Sequence, residues 1–194
     1  MECIAEVEER INQFFRAPKA IIKVGIAGIR TFESFAKHAN LFLVSFKNGS
    51  VGIFNLEKRK LEFCTEPGHS ETIFDIKFKP NDRNILGTAS YDGFIKIWNM
   101  RNMKVKATLS HIFKTDSGGT HETKAVLYGI SWAPGDDNRI ASVNANGEVN
   151  IWDYTKSKLL TTLQVAGQNS PIYRVDWHPT NPALLAVGST DKAW

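Results

Sequence analysis

The sequence predicts an all-β fold assembled from repeated four-stranded units, and three observations predict it. The first is a motif: Gly68-His69, then Phe74-Asp75-Ile76-Lys77-Phe78-Lys79-Pro80, then Ala89-Ser90-Tyr91-Asp92-Gly93-Phe94-Ile95-Lys96-Ile97-Trp98-Asn99. The second is its recurrence at Tyr128-Gly129-Ile130-Ser131-Trp132-Ala133-Pro134 with Asn146-Gly147-Glu148-Val149-Asn150-Ile151-Trp152-Asp153, and at Tyr173-Arg174-Val175-Asp176-Trp177-His178-Pro179 with Gly188-Ser189-Thr190-Asp191. The third is spacing: Asp92 to Trp98, Asn146 to Trp152 and Asn48 to Phe54 are each six positions. That last match exposes a degenerate earlier unit around Leu41-Phe42-Leu43-Val44-Ser45-Phe46 and Val51-Gly52-Ile53-Phe54-Asn55. Phe54 to Trp98 is a step of 44 residues and Trp98 to Trp152 a step of 54. A period of about 40–45 residues is that of four-stranded sheets stacked around an axis, so the longer step carries an insertion of roughly ten residues.

The elements follow in order. In residues 1–20, Ile4, Val7, Ile11 and Phe14 recur at helical spacing among Glu6, Glu8, Glu9 and Arg10, which suggests a short amphipathic helix ended before Pro18. The competing reading makes residues 11–15 the outer strand of a preceding unit and residues 21–35 the inner strand of the next. Residues 21–66 form the degenerate unit, where Asn48-Gly49 between alternating hydrophobics reads as a tight turn more strongly than as a glycosylation sequon. Residues 67–110 are the best-preserved unit. Residues 111–124 are the insertion, a polar surface loop with Gly118-Gly119. Its His111, Asp116, His121 and Glu122 fit no metal-ligand spacing, so no metal is expected. Residues 125–165 form another unit, and residues 166–194 a truncated one, because the aromatic due six positions after Asp191 is not reached. The expectation is a partial ring of about four units, completed by further units from the same or another chain.

This pattern resembles the WD40-repeat β-propeller family, whose units are the blades of the ring. The resemblance implies that His69, Ser90, Asp92 and Trp98 form a structural tetrad, hydrogen-bonded from the indole through serine and histidine to the aspartate. His, Ser and Asp also compose a hydrolase triad. The family spacing explains all four residues, however, and no nucleophile elbow is present. The neighbouring blades lack the network in full: Thr123 and Gln168 stand at the histidine position, and Asn144 and Asn146 at the serine and aspartate positions. Those blades are expected to rely on packing by Ile130, Trp132, Ile151, Trp152, Ile172, Val175 and Trp177, with Phe54, Trp98 and Trp152 in the core. Within the family, residues 40–179 look like the group that includes WD repeat-containing protein 17, through the run Gly68-His69-Ser70-Glu71-Thr72-Ile73-Phe74-Asp75-Ile76-Lys77-Phe78-Lys79-Pro80. Such proteins are long double-propeller scaffolds.

Aligning the inner strands brings Phe74, Tyr128 and Tyr173 to equivalent positions, followed by Asp75, Gly129 and Arg174. The family resemblance puts these, with Thr72, Tyr91, Val126 and Thr190, near one rim. Three aromatics beside Asp75 and Arg174 make a candidate partner-binding surface, since Tyr and Arg are favoured hot-spot residues; the alternative is packing between blades. Composition agrees with a globular chain, at 42% hydrophobic and 23% charged residues against ordinary averages of about 45–50% and 25%. No apolar run approaches the roughly 18 residues of a membrane span, and residues 1–16 are too acidic for a signal peptide. The net charge of +4 is scattered, which leaves nucleic-acid binding unsupported. Cys3 and Cys64 read as free thiols of an intracellular protein. The functional expectation is a non-enzymatic platform for other proteins of a multi-subunit complex, without cofactor, in the cytoplasm or at the cytoskeleton or cilium. The runner-up is a reader of peptides or modified tails, and a propeller hydrolase is the alternative of another class.

Overall fold

Alternation of apolar and polar residues between Gly- and Asn-rich turns makes strands, and strands are what the described residues contain. The computed structural model describes residues 28–35, 38–110, 125–135, 138–165 and 170–190. Among them β1 (Ile29–Phe35), β2 (His38–Phe46), β3 (Val51–Asn55) and β4 (Lys60–Cys64) form the first sheet. The second is β5 (Ile73–Lys79), β6 (Asp82–Ser90), β7 (Phe94–Asn99) and β8 (Lys104–Ser110). The third is β9 (Leu127–Trp132), β10 (Arg139–Asn144), β11 (Glu148–Asp153) and β12 (Lys158–Gln164). β13 (Ile172–Trp177) and β14 (Leu185–Ser189) make a two-stranded sheet. Every sheet is an antiparallel meander in chain order. This is the all-β, partial-propeller architecture, with three four-stranded blades and the first two strands of another. The helix expected in residues 1–20 and the insertion at 111–124 lie outside the described residues.

The degenerate first unit folds as a full blade because its turn chemistry survives where its motif residues do not. Gly49, Gly93 and Gly147 occupy the same turn position in the three complete blades, with φ of 81°, 81° and 80°, a region that only glycine enters without steric cost. The innermost strands β1, β5, β9 and β13 lie side by side, and the core sits in layers between consecutive blades. Leu43 and Val51 pack with Ile73, Ile76, Phe78, Leu86 and Trp98 between the first and second. Ile95, Ile97 and Leu109 meet Ile130, Trp132, Ile140 and Trp152 between the second and third. Val143, Val149 and Ile151 meet Ile172, Val175 and Trp177 between the third and the last. Every residue named above as expected packing is buried, Phe54, Trp98 and Trp152 among them.

Side chains also tie blade to blade. Glu33 and Ser131 hold the same place in their inner strands, and each accepts the backbone N–H at one place in the next inner strand, Phe78 at 2.7 Å and Trp177 at 2.9 Å. Between them stands Lys77, whose ammonium has no acceptor. Asp75, two residues earlier, takes over and accepts from Ile130 N–H at 3.1 Å.

Candidate functional site

The buried hydrogen-bond chain is built on the second blade. His69 precedes β5, Thr88 lies on β6, Asp92 in the following turn and Trp98 on β7. The His69 Nδ1 is 2.9 Å from Asp92 Oδ2, and its Nε2 is 2.7 Å from Thr88 Oγ1. The Trp98 indole N–H donates to the same hydroxyl at 2.9 Å. A neutral imidazole protonated on Nδ1 satisfies all of this, donating to the carboxylate and accepting from Thr88. Burial is the larger influence on His69 and pushes its pKa down, against the Asp92 carboxylate, which raises it. Asp92 is pushed up by burial, but the hydrogen bond and charge of His69, with the N–H groups of Phe94 and Ser70, outweigh this and hold it below its usual value.

The expected tetrad is corrected at one position: Thr88, not Ser90, links indole to imidazole. Ser90 Oγ donates instead to the carbonyls of Thr72 and Glu71 at 3.0 and 3.2 Å, and accepts from Asp92 N–H. The correction has a steric reason. Thr88 pairs across the sheet with Lys96, two residues before Trp98 on the same face, whereas Ser90 pairs with Ile73 at the end of the strand. It also removes the hydrolase triad, since the Ser90 hydroxyl is turned away from His69 and His69 and Asp92 are both buried. In the third blade, where the expected histidine position falls within the undescribed segment, Trp152 donates to Ser142 Oγ at 2.9 Å. Asn144 there accepts from the N–H groups of Asn146 and Glu148 and donates to the Glu148 carboxylate.

The rim is set by a hydrogen bond repeated in all four sheets. Lys47 N–H donates to Gly28 O, Tyr91 to Thr72, Ala145 to Val126 and Thr190 to Pro171, at 3.0, 2.9, 3.0 and 3.4 Å. It closes the start of each inner strand against the end of its neighbour. The first inward residue of the inner strand is buried in the last three sheets, Ile73, Leu127 and Ile172, while its equivalent in the first, Ile29, is exposed. The next turns onto the rim, and there Phe74, Tyr128 and Tyr173 form a continuous row. Ring centroids stand 5.2 Å apart from Phe74 to Tyr128 and 4.8 Å from Tyr128 to Tyr173, with Tyr91 6.2 Å from Phe74. Phe74 and Tyr128 are half-buried, Tyr91 and Tyr173 more exposed. The structure therefore joins both expectations, packing and exposure, in one row. Burial and the neighbouring Tyr173 and Tyr91 push the Tyr128 phenol up.

Arg30, which sequence reading passed over, continues the row, its guanidinium 4.8 Å from the Phe74 centroid. The signal was present, because Arg30 stands one 44-residue step before Phe74, as Lys47 stands one such step before Tyr91. Arg174 crosses from the last sheet to Asp75 on the second, at 3.7 Å. Gly129 lies between them, and a Cβ there would stand 3.3 Å from the Tyr173 carbonyl. Burial pushes the Asp75 pKa up, against the Ile130 N–H and the charges of Lys77 and Arg174. Thr72 and Val126 are half-buried at the row's edge, and Thr190 is exposed. No cluster of His, Cys, Asp or Glu among the described residues is suited to hold a metal.

Residues 61–99 match the family model described as WD domain, G-beta repeat. The human GATOR2 complex protein WDR24 is 29% identical over 157 residues, covering 79% of this chain and 18% of that protein. The human GATOR2 complex protein WDR59 is 30% identical over 172 residues, 88% of this chain and 16% of that protein. The small ribosomal subunit protein RACK1 of Caenorhabditis elegans is 28% identical over 132 residues, 67% of this chain and 36% of that protein. The chain thus spans less than a fifth of the length of the two GATOR2 proteins it matches.

Proposed function

On a chain that carries a WD40 repeat among propeller blades, we propose a non-catalytic scaffold whose rim engages other subunits of a larger assembly. One observation carries the reading: a preformed row of four side chains, Arg30, Phe74, Tyr128 and Tyr173, presented by four successive inner strands. Rings held by sheet and by one another lose little freedom on binding, so less of the contact energy is spent on ordering. Two relatives named for membership of a complex support the assembly part of the reading. A cytoplasmic setting belongs to the same proposal, supported by the free thiol of Cys64. Its finer forms, at the cytoskeleton or cilium and in the group around WD repeat-containing protein 17, rest on the likeness of residues 40–179 alone, through the Gly68 to Pro80 run and Ser131-Trp132-Ala133-Pro134-Gly135-Asp136.

The test is the size and subunit stoichiometry of the native complex formed by the full-length protein and by its Tyr128→Ala/Tyr173→Ala variant. Stoichiometric subunits should fall at least about tenfold in the variant, a loss of roughly 1.4 kcal/mol, while its melting temperature holds. A full-length protein that migrates alone overturns the reading, and a collapsed melting temperature makes the row core instead.

A further inference from the structure

We propose that the rim binds an acidic peptide segment of a partner protein, an inference that rests on the rim being the partner-facing surface. Charge and the inventory of hydrogen-bond donors along the row point to it. Arg30 and Lys47 on the first blade are exposed, and so is most of the Arg174 side chain on the last sheet. They border the aromatic row at both ends. Between them lie the phenols of Tyr91, Tyr128 and Tyr173, which have no hydrogen-bond partner among the described residues. Each can donate to a carboxylate, and Arg and Lys offer only donors. Guanidinium against carboxylate gives the strong, charge-assisted form of hydrogen bond.

Among the described residues, acceptors at this end are mostly spent. Asp75 is buried and takes the N–H groups of Ile76 and Ile130 besides facing Arg174. Asp92 is buried against His69, Ser70 and Phe94. Glu66 and Glu71 remain exposed on the loop between β4 and β5. A cationic ligand would meet arginines along the row and find its nearest carboxylate occupied. An anionic one meets three cations, three hydroxyls without a partner among the described residues, and an aromatic floor. From Arg30 to Tyr173 the row runs at most about 15 Å, the reach of four or five extended residues. Its Phe74 face suits one aromatic or aliphatic side chain among the acids.

The experiment is a selection from a library of short random peptides on the full chain, followed by titration of the enriched peptides and of copies with Asp and Glu replaced by Asn and Gln. The expected result is enrichment of net-negative peptides. Their affinity should fall at least about tenfold in the amide copies and in Arg30→Gln/Arg174→Gln, and should weaken with salt. Arg30→Lys/Arg174→Lys, which keeps both charges, should retain more than the glutamine variant. Neutral or basic peptides as the enriched class overturn the proposal, as does tighter capture of a single-stranded oligonucleotide, or no enrichment. The parent reading fails separately. Neutral peptides lost on Tyr128→Ala keep the rim as a binding surface while sinking its acidic preference, whereas acidic peptides retained on Tyr128→Ala sink the rim itself.

Discussion

Val44, Thr88 and Ser142 occupy one position in three successive blades, and Phe54, Trp98 and Trp152 occupy the position ten residues on. Where the aromatic carries an indole N–H, its partner carries a hydroxyl; where it is phenylalanine, the partner is valine. That covariation within one chain is what a buried hydrogen bond demands, because either half alone strands a polar group at a cost of about 1–3 kcal/mol. Thr88→Val removes the acceptor for Trp98 and the donor for His69, so it should lower the unfolding free energy by about 2–4 kcal/mol. Adding Trp98→Phe, which copies the first blade, should cost less than the sum of the two single changes, a coupling read by a double-mutant cycle in urea. Simple additivity would sever Thr88 from the indole. The same chain sets the acid response. His69 folds with its pKa below 6.5 and Asp92 with its own below 3.8. The unfolded chain therefore binds more protons than the folded one in acid, and stability falls as pH drops below about 6.5 and again below about 3.8. Asp75 and Glu33, both raised by burial, act in the opposite sense in the carboxylate range. Between pH 7 and 5 the urea midpoint should fall, and His69→Gln should flatten that fall; a midpoint that rises on acidification contradicts the assignment.

At the scale of elements, the strands were legible because period-two alternation and a glycine turn are local signals. They survive in the first blade although its aspartate and tryptophan positions hold Asn48 and Phe54. The long step in the repeat is visible as arithmetic, with 54 residues between Trp98 and Trp152 against 44 between Phe54 and Trp98. What spacing could not supply was the choice between two hydroxyls two residues apart. Ser90 and Thr88 share a strand and a face, and only the folded sheet says which the indole reaches diagonally and which reaches the carbonyls of Glu71 and Thr72. Family resemblance suggested the serine, and the register of β6 on β7 overruled it. The rim was half legible. Equivalent aromatics were visible, but Arg30 and Lys47 break residue type, so an alignment by likeness missed what an alignment by position recovers. The bonds from Glu33 and Ser131 to the next blade were not legible at all, because a glutamate and a serine in one repeat position share nothing but an acceptor oxygen.

At the scale of the whole molecule, the repeat says which faces require cover. The same place in the inner strands is held by Phe32, Ile76, Ile130 and Val175. The last three are 2%, 0% and 6% exposed, each pressed against the blade before it, while Phe32 is 66% exposed. Around it the first blade presents Phe42, 5.9 Å away between ring centroids, and Leu61, beside the buried Val44, Phe46 and Phe54. Contiguous aromatics at a position that is core in every other described blade make a face built for packing, and a phenylalanine that moves from that exposure to burial removes roughly 100 Å² or more from water. Another blade-like sheet is the cover that the repeat geometry specifies. Radical footprinting of Phe32 in the natural full-length protein should therefore show protection approaching that of a buried ring, with residues 28–194 alone reacting readily. Phe32→Asp should lower the melting temperature of that isolated arc only slightly, since Phe42 is the ring it meets among the described residues, and should destabilise the natural protein by about 3 kcal/mol or more, the loss of a buried aromatic with a charge left in its place. Equal reactivity of Phe32 in both states would mean that the first blade carries its aromatic face open, and that the face, like the rim, belongs to a partner's surface rather than to a ring.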